Sequence, residues 1–490
     1  MIRASKRATW LAIAFALLSG CSGYRLVRDG AVQAGAADKI KSKLVAIRGL
    51  GFRSPVPVVA VNAAEARGML EREISHEFEP GELATIGRVY VALGLLPAGT
   101  DLEHAFLELY GSQLAGFYDP ITRQMVLVNE ALRTGFLTRV VETVIRRDLA
   151  GEMVLAHELT HALQDQHFGL DTGHADVGED DAQLAVRAVY EGDATLAGFA
   201  TVLGKLRPGT AASLARKLER VQEQMARDYP DIPALIRETI VFQYVAGVNF
   251  VSWAYKNAGW EGVNALLARP PRSTEQILHP EKYFVHMENP VRVQLGALAP
   301  YLRGEWQLAE EATLGEFTIR LLAERYFDRA RATEFAAGWD GDRLMALAQG
   351  QALALVWLTA WDSDRDATEF FSGWATVLAG RHPGAASKSD TVIHLGGAQP
   401  YYLERRGTKV LAIEGPLESD LPGLADRIWR RSTFEPNVPW VPIDLAGYSI
   451  SAPCARPLRG RAPMALGTRS QFGCLASISA PCARGALRPR

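Results

Sequence analysis

GEMVLAHELTHALQDQHF, residues 151–168, has no proline and no glycine beyond Gly151, and reads as one helix set into a core. Met153, Val154, Leu155, Ala156, Leu159, Ala162 and Leu163 supply apolar surface on both sides of two histidines, His157 and His161. Residues four apart on a helix project from the same face, so the two imidazoles can aim at a single point. Imidazole nitrogens reach a bound zinc ion at about 2.0–2.1 Å. Glu158, next to His157, stays off that ion and is placed to take a proton from a water whose pKa the metal lowers to about 7. The pentapeptide HELTH fits the H-E-x-x-H pattern of zinc hydrolases. Its competing reading is a buried helix whose histidines merely bond neighbouring carbonyls.

A catalytic zinc normally has three protein ligands and one open position. Two candidates compete for the third. His167 lies ten residues after His157, the spacing of H-E-x-x-H-x-x-G-x-x-H, but Gln164 stands where that pattern has glycine. The glycine lets the chain leave the helix and return a histidine to the metal. If the helix runs on, His167 sits roughly 9 Å further along the axis and about 120° off the ligand face. The other candidate is Glu191, in DAQLAVRAVYEGDATLAGFATVL (181–203), a second amphipathic helix that begins near Glu179, Asp180 and Asp181, where negative charge suits a helix N-terminus.

Six phrases of the chain, GFYDPITRQMVLV (116–128), LAHELTHALQDQ (155–166), YEGDA (190–194), STEQILHPEKY (273–283), GWDGDR (338–343) and AWDSDRDATEFF (360–371), carry a wider resemblance. The chain resembles the gluzincins, the thermolysin-like and aminopeptidase-like metallopeptidases in which a glutamate on the following helix completes the site. It is more closely similar to a group of mostly uncharacterised bacterial secreted or lipid-anchored proteins of metallopeptidase type. The resemblance implies His157, His161 and Glu191 as zinc ligands and Glu158 as general base, and it implies no known substrate. The fold expected is α+β and mainly helical, with a zincin-like core carrying a short β-sheet and a second, largely helical lobe. Asp193 and Asp165 are candidates to orient a ligand histidine. Tyr190, Tyr244, His279 and Tyr283 are candidates to donate to the oxyanion of the transition state.

The N-terminus speaks to location. Arg3, Lys6 and Arg7 precede an apolar run from Trp10 to Leu18, too short to span a membrane and of signal-peptide length. It ends in Leu18-Ser19-Gly20-Cys21, which resembles the bacterial lipobox, so Cys21 is expected to be acylated. Ser22 after it resembles the outer-membrane sorting pattern of Gram-negative lipoproteins. The alternative is an ordinary secretory signal with Cys21 a bystander. The remaining cysteines, Cys454, Cys474 and Cys482, all lie beyond Gly447, so the long middle cannot depend on disulfides.

At 48% hydrophobic, 22% charged and net charge −2, the chain has ample core-forming residues and none of the basic excess that binds nucleic acid. The expected organisation is a signal peptide at 1–21, a tether of small and polar residues at 22–45, the metallopeptidase core at 46–290, a second helical/β lobe at 291–445, and a disordered Ala/Arg/Pro-rich tail at 446–490. Within the core, Pro97-Ala98-Gly99 breaks two helices, Met125 to Val128 reads as a short strand that either lines the cleft or forms an ordinary hairpin against the core, and the helices after Pro208-Gly209 run to about Phe250. A strand pair is expected around YYLERRGTKVLAIEG (401–415). The leading functional expectation is zinc-dependent hydrolysis of peptide or protein substrates in the cell envelope. An inactive zinc-binding envelope lipoprotein is the alternative, and a structural lipoprotein with a coincidental HELTH is the third.

Overall fold

The computed structural model describes residues 27–436, apart from 129–149, 170–179, most of 207–229, 416–420 and a few shorter stretches. The signal peptide, Cys21 and the tail with its three cysteines lie outside the described residues. The chain opens with two-residue strands β1 (Val27–Arg28) and β2 (Ala31–Val32) and a helix, α1 (Ala34–Arg48). Ala36, Ala37, Ile40 and Leu44 of α1 are buried at helical spacing, and Gly49 ends it in the left-handed conformation (φ 68°). Half of the segment expected to be a tether, residues 34–45, is therefore packed helix. Its apolar stripe is half alanine, and small residues are as typical of linkers as of close helix contacts.

Next come β3 (Val58–Val61), α2 (Ala63–Glu77), α3 (Glu82–Leu93), α4 (Leu102–Gln113), β4 (Gly116–Asp119) and β5 (Gln124–Val128). The break between α3 and α4 falls at Pro97-Ala98-Gly99. These strands form a sheet in the order β3-β5-β4, with β3 parallel and β4 antiparallel to β5. The strand expected at Met125–Val128 is thus the central one, with both edges taken, and it cannot pair with a substrate.

Three long helices follow: α5 (Ala150–Phe168), α6 (Asp180–Leu203) and α7 (Ala234–Ala268). A helix apolar all round belongs in the middle of a core, and α6 is buried along nearly its whole length, packed on α1, α5 and α7. Glycines set the approach. A Cβ on Gly192 would run into the backbone of Gly247 on α7, and one on Gly198 would meet the Met153 backbone of α5 at 3.1 Å. α7 continues well past Phe250, with non-helical backbone at Ala258 and Gly259.

The rest comprises α8 (Thr274–Leu278), α9 (Glu281–Phe284), β6 (Val291–Gln294), β7 (Gln307–Ala312), α10 (Gly315–Ala323), α11 (Arg329–Ala336), β8 (Trp339–Gln349), β9 (Ala352–Trp361), α12 (Asp364–Arg381), β10 (Ser387–Lys388), β11 (Val392–Leu395), β12 (Tyr401–Arg406), β13 (Lys409–Glu414), α13 (Leu421–Arg431) and β14 (Thr433–Pro436). Seven strands form one antiparallel sheet in the order β10-β11-β12-β13-β9-β8-β7. β12 and β13 are the expected strand pair. The second lobe, expected to be largely helical, is instead organised by this sheet. Along β9, Leu355, Trp357 and Trp361 enter one apolar cluster while Ala354, Val356, Leu358 and Ala360 enter another. A strand covered on both faces reads as a continuous apolar run, ALALVWLTAW, and shows no period of two.

The fold is mixed α+β, as expected. Its largest apolar cluster extends from Ala66 to Ala412 and crosses the boundary expected at 290/291. Polar ties cross it as well. Thr274 Oγ1 accepts from the backbone N–H of Phe317 on α10 (3.2 Å), and Arg381 of α12 donates to the carbonyls of Ala92 and Leu93 at the end of α3. Among the described residues no helix is long and apolar enough to cross a membrane.

Candidate metal centre

α5 and α6 bring three side chains to one point. His157 and His161 lie one turn apart on α5, with their Nε2 atoms 3.1 Å from each other. Glu191 on α6 straddles them, with Oε2 3.1 Å from His157 Nε2 and Oε1 3.6 Å from His161 Nε2. Ligands at about 2.0–2.1 Å from a tetrahedral ion sit about 3.3 Å apart, so the spacing fits a single zinc-sized ion. The donor set, two imidazoles and a carboxylate, suits zinc as well. The three are almost closed to solvent, at 1, 12 and 8% side-chain exposure for His157, His161 and Glu191. Among the described residues they form the group of histidine and carboxylate side chains whose ligand atoms converge this way.

The electrostatics favour a positive charge there. Burial works against ionising Glu191, but the two histidines outweigh it and hold the carboxyl well below its ordinary range. Burial likewise opposes charge on His161, yet Glu191, Glu158 and the bond to Gln164 push it up to about 9. For His157, burial prevails and its pKa falls. Glu158, 8% exposed, is pushed up to about 8 by burial, against the pull of His161 and of the Tyr118 backbone N–H that donates to it.

Tyr118 belongs to β4, an edge of the three-stranded sheet. The strand whose outer side meets the site is therefore β4 rather than β5. Tyr118 also donates its hydroxyl to Asp165 (3.0 Å), which leaves Asp165 engaged away from the histidines.

His167 is not in the cluster. α5 continues unbroken past Gln164, and His167 Nε2 lies 2.8 Å from the carbonyl of Gly51. Of the oxyanion candidates, Tyr244 stacks on His157, with ring centroids 5.8 Å apart, and Tyr190 lends its carbonyl to Gln164 (3.0 Å). His279 pairs with Glu316 (3.0 Å) and the Tyr283 hydroxyl donates to the carbonyl of Arg269, so both are committed elsewhere.

Sequence reasoning missed two neighbours of the candidate ligands and one residue behind them. Gln164 Oε1 is 2.7 Å from His161 Nδ1, Thr195 Oγ1 is 3.5 Å from His157 Nδ1, and Arg48, buried at the end of α1, donates to Asp193 at 3.1 Å. Gln164 and Thr195 could have been found from helical spacing, since Gln164 is one turn after His161 and Thr195 one turn after Glu191. No signal pointed to Arg48. Asp193 reaches His161 only through Gln164, whose Nε2 it accepts at 2.9 Å.

Residues 305–425, the sheet-bearing region, match a family described as "Domain of unknown function (DUF8575)". No curated protein and no solved structure matches the chain.

Proposed function

We propose that the protein is a zinc-dependent metallopeptidase of gluzincin type, with a zincin-like core, that hydrolyses peptide bonds in the bacterial cell envelope. The observation that carries this reading is the convergence of His157, His161 and Glu191 with Glu158 beside them on the same helix. His157 and His161 would hold the ion through Nε2 and Glu191 through its carboxylate. Zinc, when bound, supplies Lewis acidity to the scissile carbonyl and to the attacking water. Glu158 would accept a proton from the attacking water on a carboxylate oxygen and pass it to the departing amine. The Tyr118 N–H fixes the orientation of the Glu158 carboxyl, and the burial of all four side chains keeps bulk water from competing.

Elemental analysis of the purified protein, with an assay on an unfolded protein substrate, tests the reading. About one zinc per chain is expected, and Glu158→Gln should keep the metal while lowering turnover by at least about 100-fold. A zinc-free wild type sinks the proposal. Zinc without hydrolysis would return the inactive zinc-binding lipoprotein.

For location we propose a lipid anchor at Cys21, carried by the sequence Leu18-Ser19-Gly20-Cys21 after a short apolar core, with the protein on the outer membrane facing the periplasm. Mass spectrometry of the mature N-terminus should find an acylated Cys21. An unmodified start beyond it would mean simple secretion.

A further inference from the structure

We infer that Gln164 is the positioning residue of the metal centre, fixing which nitrogen of His161 faces the ion, and that Asp193 and Arg48 hold Gln164 to that task. The inference rests on the metal-centre reading above. An amide can be turned either way, so its partners decide. One end of the Gln164 amide meets the Tyr190 carbonyl at 3.0 Å and the Asp193 carboxylate at 2.9 Å, and both can only accept. That end is therefore the NH2, and the oxygen is the end 2.7 Å from His161 Nδ1. An oxygen there accepts, so Nδ1 carries the proton and Nε2 is the atom presented to His157 and Glu191.

Asp193 is in turn fixed by Arg48, whose Nη2 donates to the same oxygen at 3.1 Å, and both side chains are fully buried. A buried ion pair is weak evidence for stability, because desolvating two charges offsets most of their attraction. This one sits at the end of a chain of bonds that leads to a ligand. Arg48 is the last residue of α1, where its charge complements the helix dipole, and its guanidinium lies over the Trp260 ring at 4.6 Å. The residue that replaces the glycine of the related zinc pattern thus has a use of its own: the helix runs on, and its next turn orients the second histidine.

Zinc affinity of the full chain, by competition with a chromophoric chelator, tests this. Gln164→Met, close in size but unable to accept, should bind zinc about 10- to 100-fold more weakly than wild type. Gln164→Glu keeps an oxygen for Nδ1 but loses the NH2 that Asp193 and the Tyr190 carbonyl accept, so its affinity should fall between those of wild type and Gln164→Met. Arg48→Met should fall between. Wild-type affinity in Gln164→Met overturns the inference while leaving the metal centre intact. No zinc in wild type removes the metal centre itself. If Gln164→Met does not fold, the zinc-loaded wild type labelled with 15N-histidine decides: the proton should be on His161 Nδ1 and the metal on Nε2, and the reverse arrangement overturns the inference.

Discussion

Two buried carboxylates, Glu191 among the long helices and Asp342 on β8 of the sheet, meet opposite company. Asp342 accepts from the backbone N–H groups of Leu314 and Gly315 and from the indoles of Trp339 and Trp357, all at 2.9–3.1 Å. None of those donors titrates or coordinates a metal, so the arrangement is complete as it stands. Glu191 faces two imidazole Nε2 atoms, which take a proton or a metal ion in place of a fixed hydrogen. Burial alone does not mark a functional acid. The chemistry of its partners does, and by that test GWDGDR, one of the phrases that carried the family resemblance, builds the fold and not the site.

The contrast can be broken most directly at its ends. His161→Ala or Glu191→Ala should lower zinc affinity by at least about 1000-fold, since each removes a ligand from a three-ligand site. Asp342→Asn should leave the stoichiometry of the folded protein near one zinc while lowering stability by about 3 kcal/mol, because an amide NH2 must now face N–H donors. Loss of zinc from folded Asp342→Asn protein, in the same elemental analysis, would erase the distinction. Gly247→Ala tests whether helix approach holds the ligands together. Its new Cβ would overlap the Ala188 carbonyl, so chemical denaturation should show a loss of about 2 kcal/mol despite the better helix propensity of alanine.

A third buried acid sharpens the comparison through pH. Glu310, 2% exposed on β7, is pushed up to about 8, first by burial and then by Asp180. The folded state therefore favours its neutral form, and the stability this confers below its ordinary 4.5 is lost as pH rises toward 8. Between pH 5 and pH 9, Glu310→Gln should lose about 2 kcal/mol less than wild type in urea unfolding. The smallest effect is expected of His167→Ala, whose zinc affinity should stay within about twofold of wild type, since His167 bonds Gly51 and lies outside the cluster.

What the sequence made legible follows the range of the signals. The helix carrying HELTH, the helix carrying Glu191, the Pro97-Ala98-Gly99 break and the pair β12–β13 all announce themselves within a few residues, through caps, turns and periodicity. The central sheet did not, because a strand buried on both faces loses its alternation and LMALAQ or ALALVWLTAW reads equally well as core helix. The pairing that puts β5 between β3 and β4 depends on residues more than 60 apart. In the site, the histidine pair and the neighbouring Glu158 were readable from spacing, and Glu191 from resemblance. Arg48 was not, since nothing local distinguishes a helix-ending arginine bound for a buried carboxylate from one bound for water.

The distances along the chain within that bond network also bear on the order of assembly. Gln164 and Asp193 are 29 residues apart, whereas Arg48 and Asp193 are 145 apart. Closing the longer loop costs only about 1–2 kcal/mol more in chain entropy, at roughly 0.6 kcal/mol per doubling of length, yet contacts so remote in sequence form late in folding. The packed pair α5 and α6 can bring His157, His161 and Glu191 together before α1 arrives. With zinc bound as proposed, the exported chain would meet the ion in a loosely held cradle, and docking of α1 would be the step that tightens it.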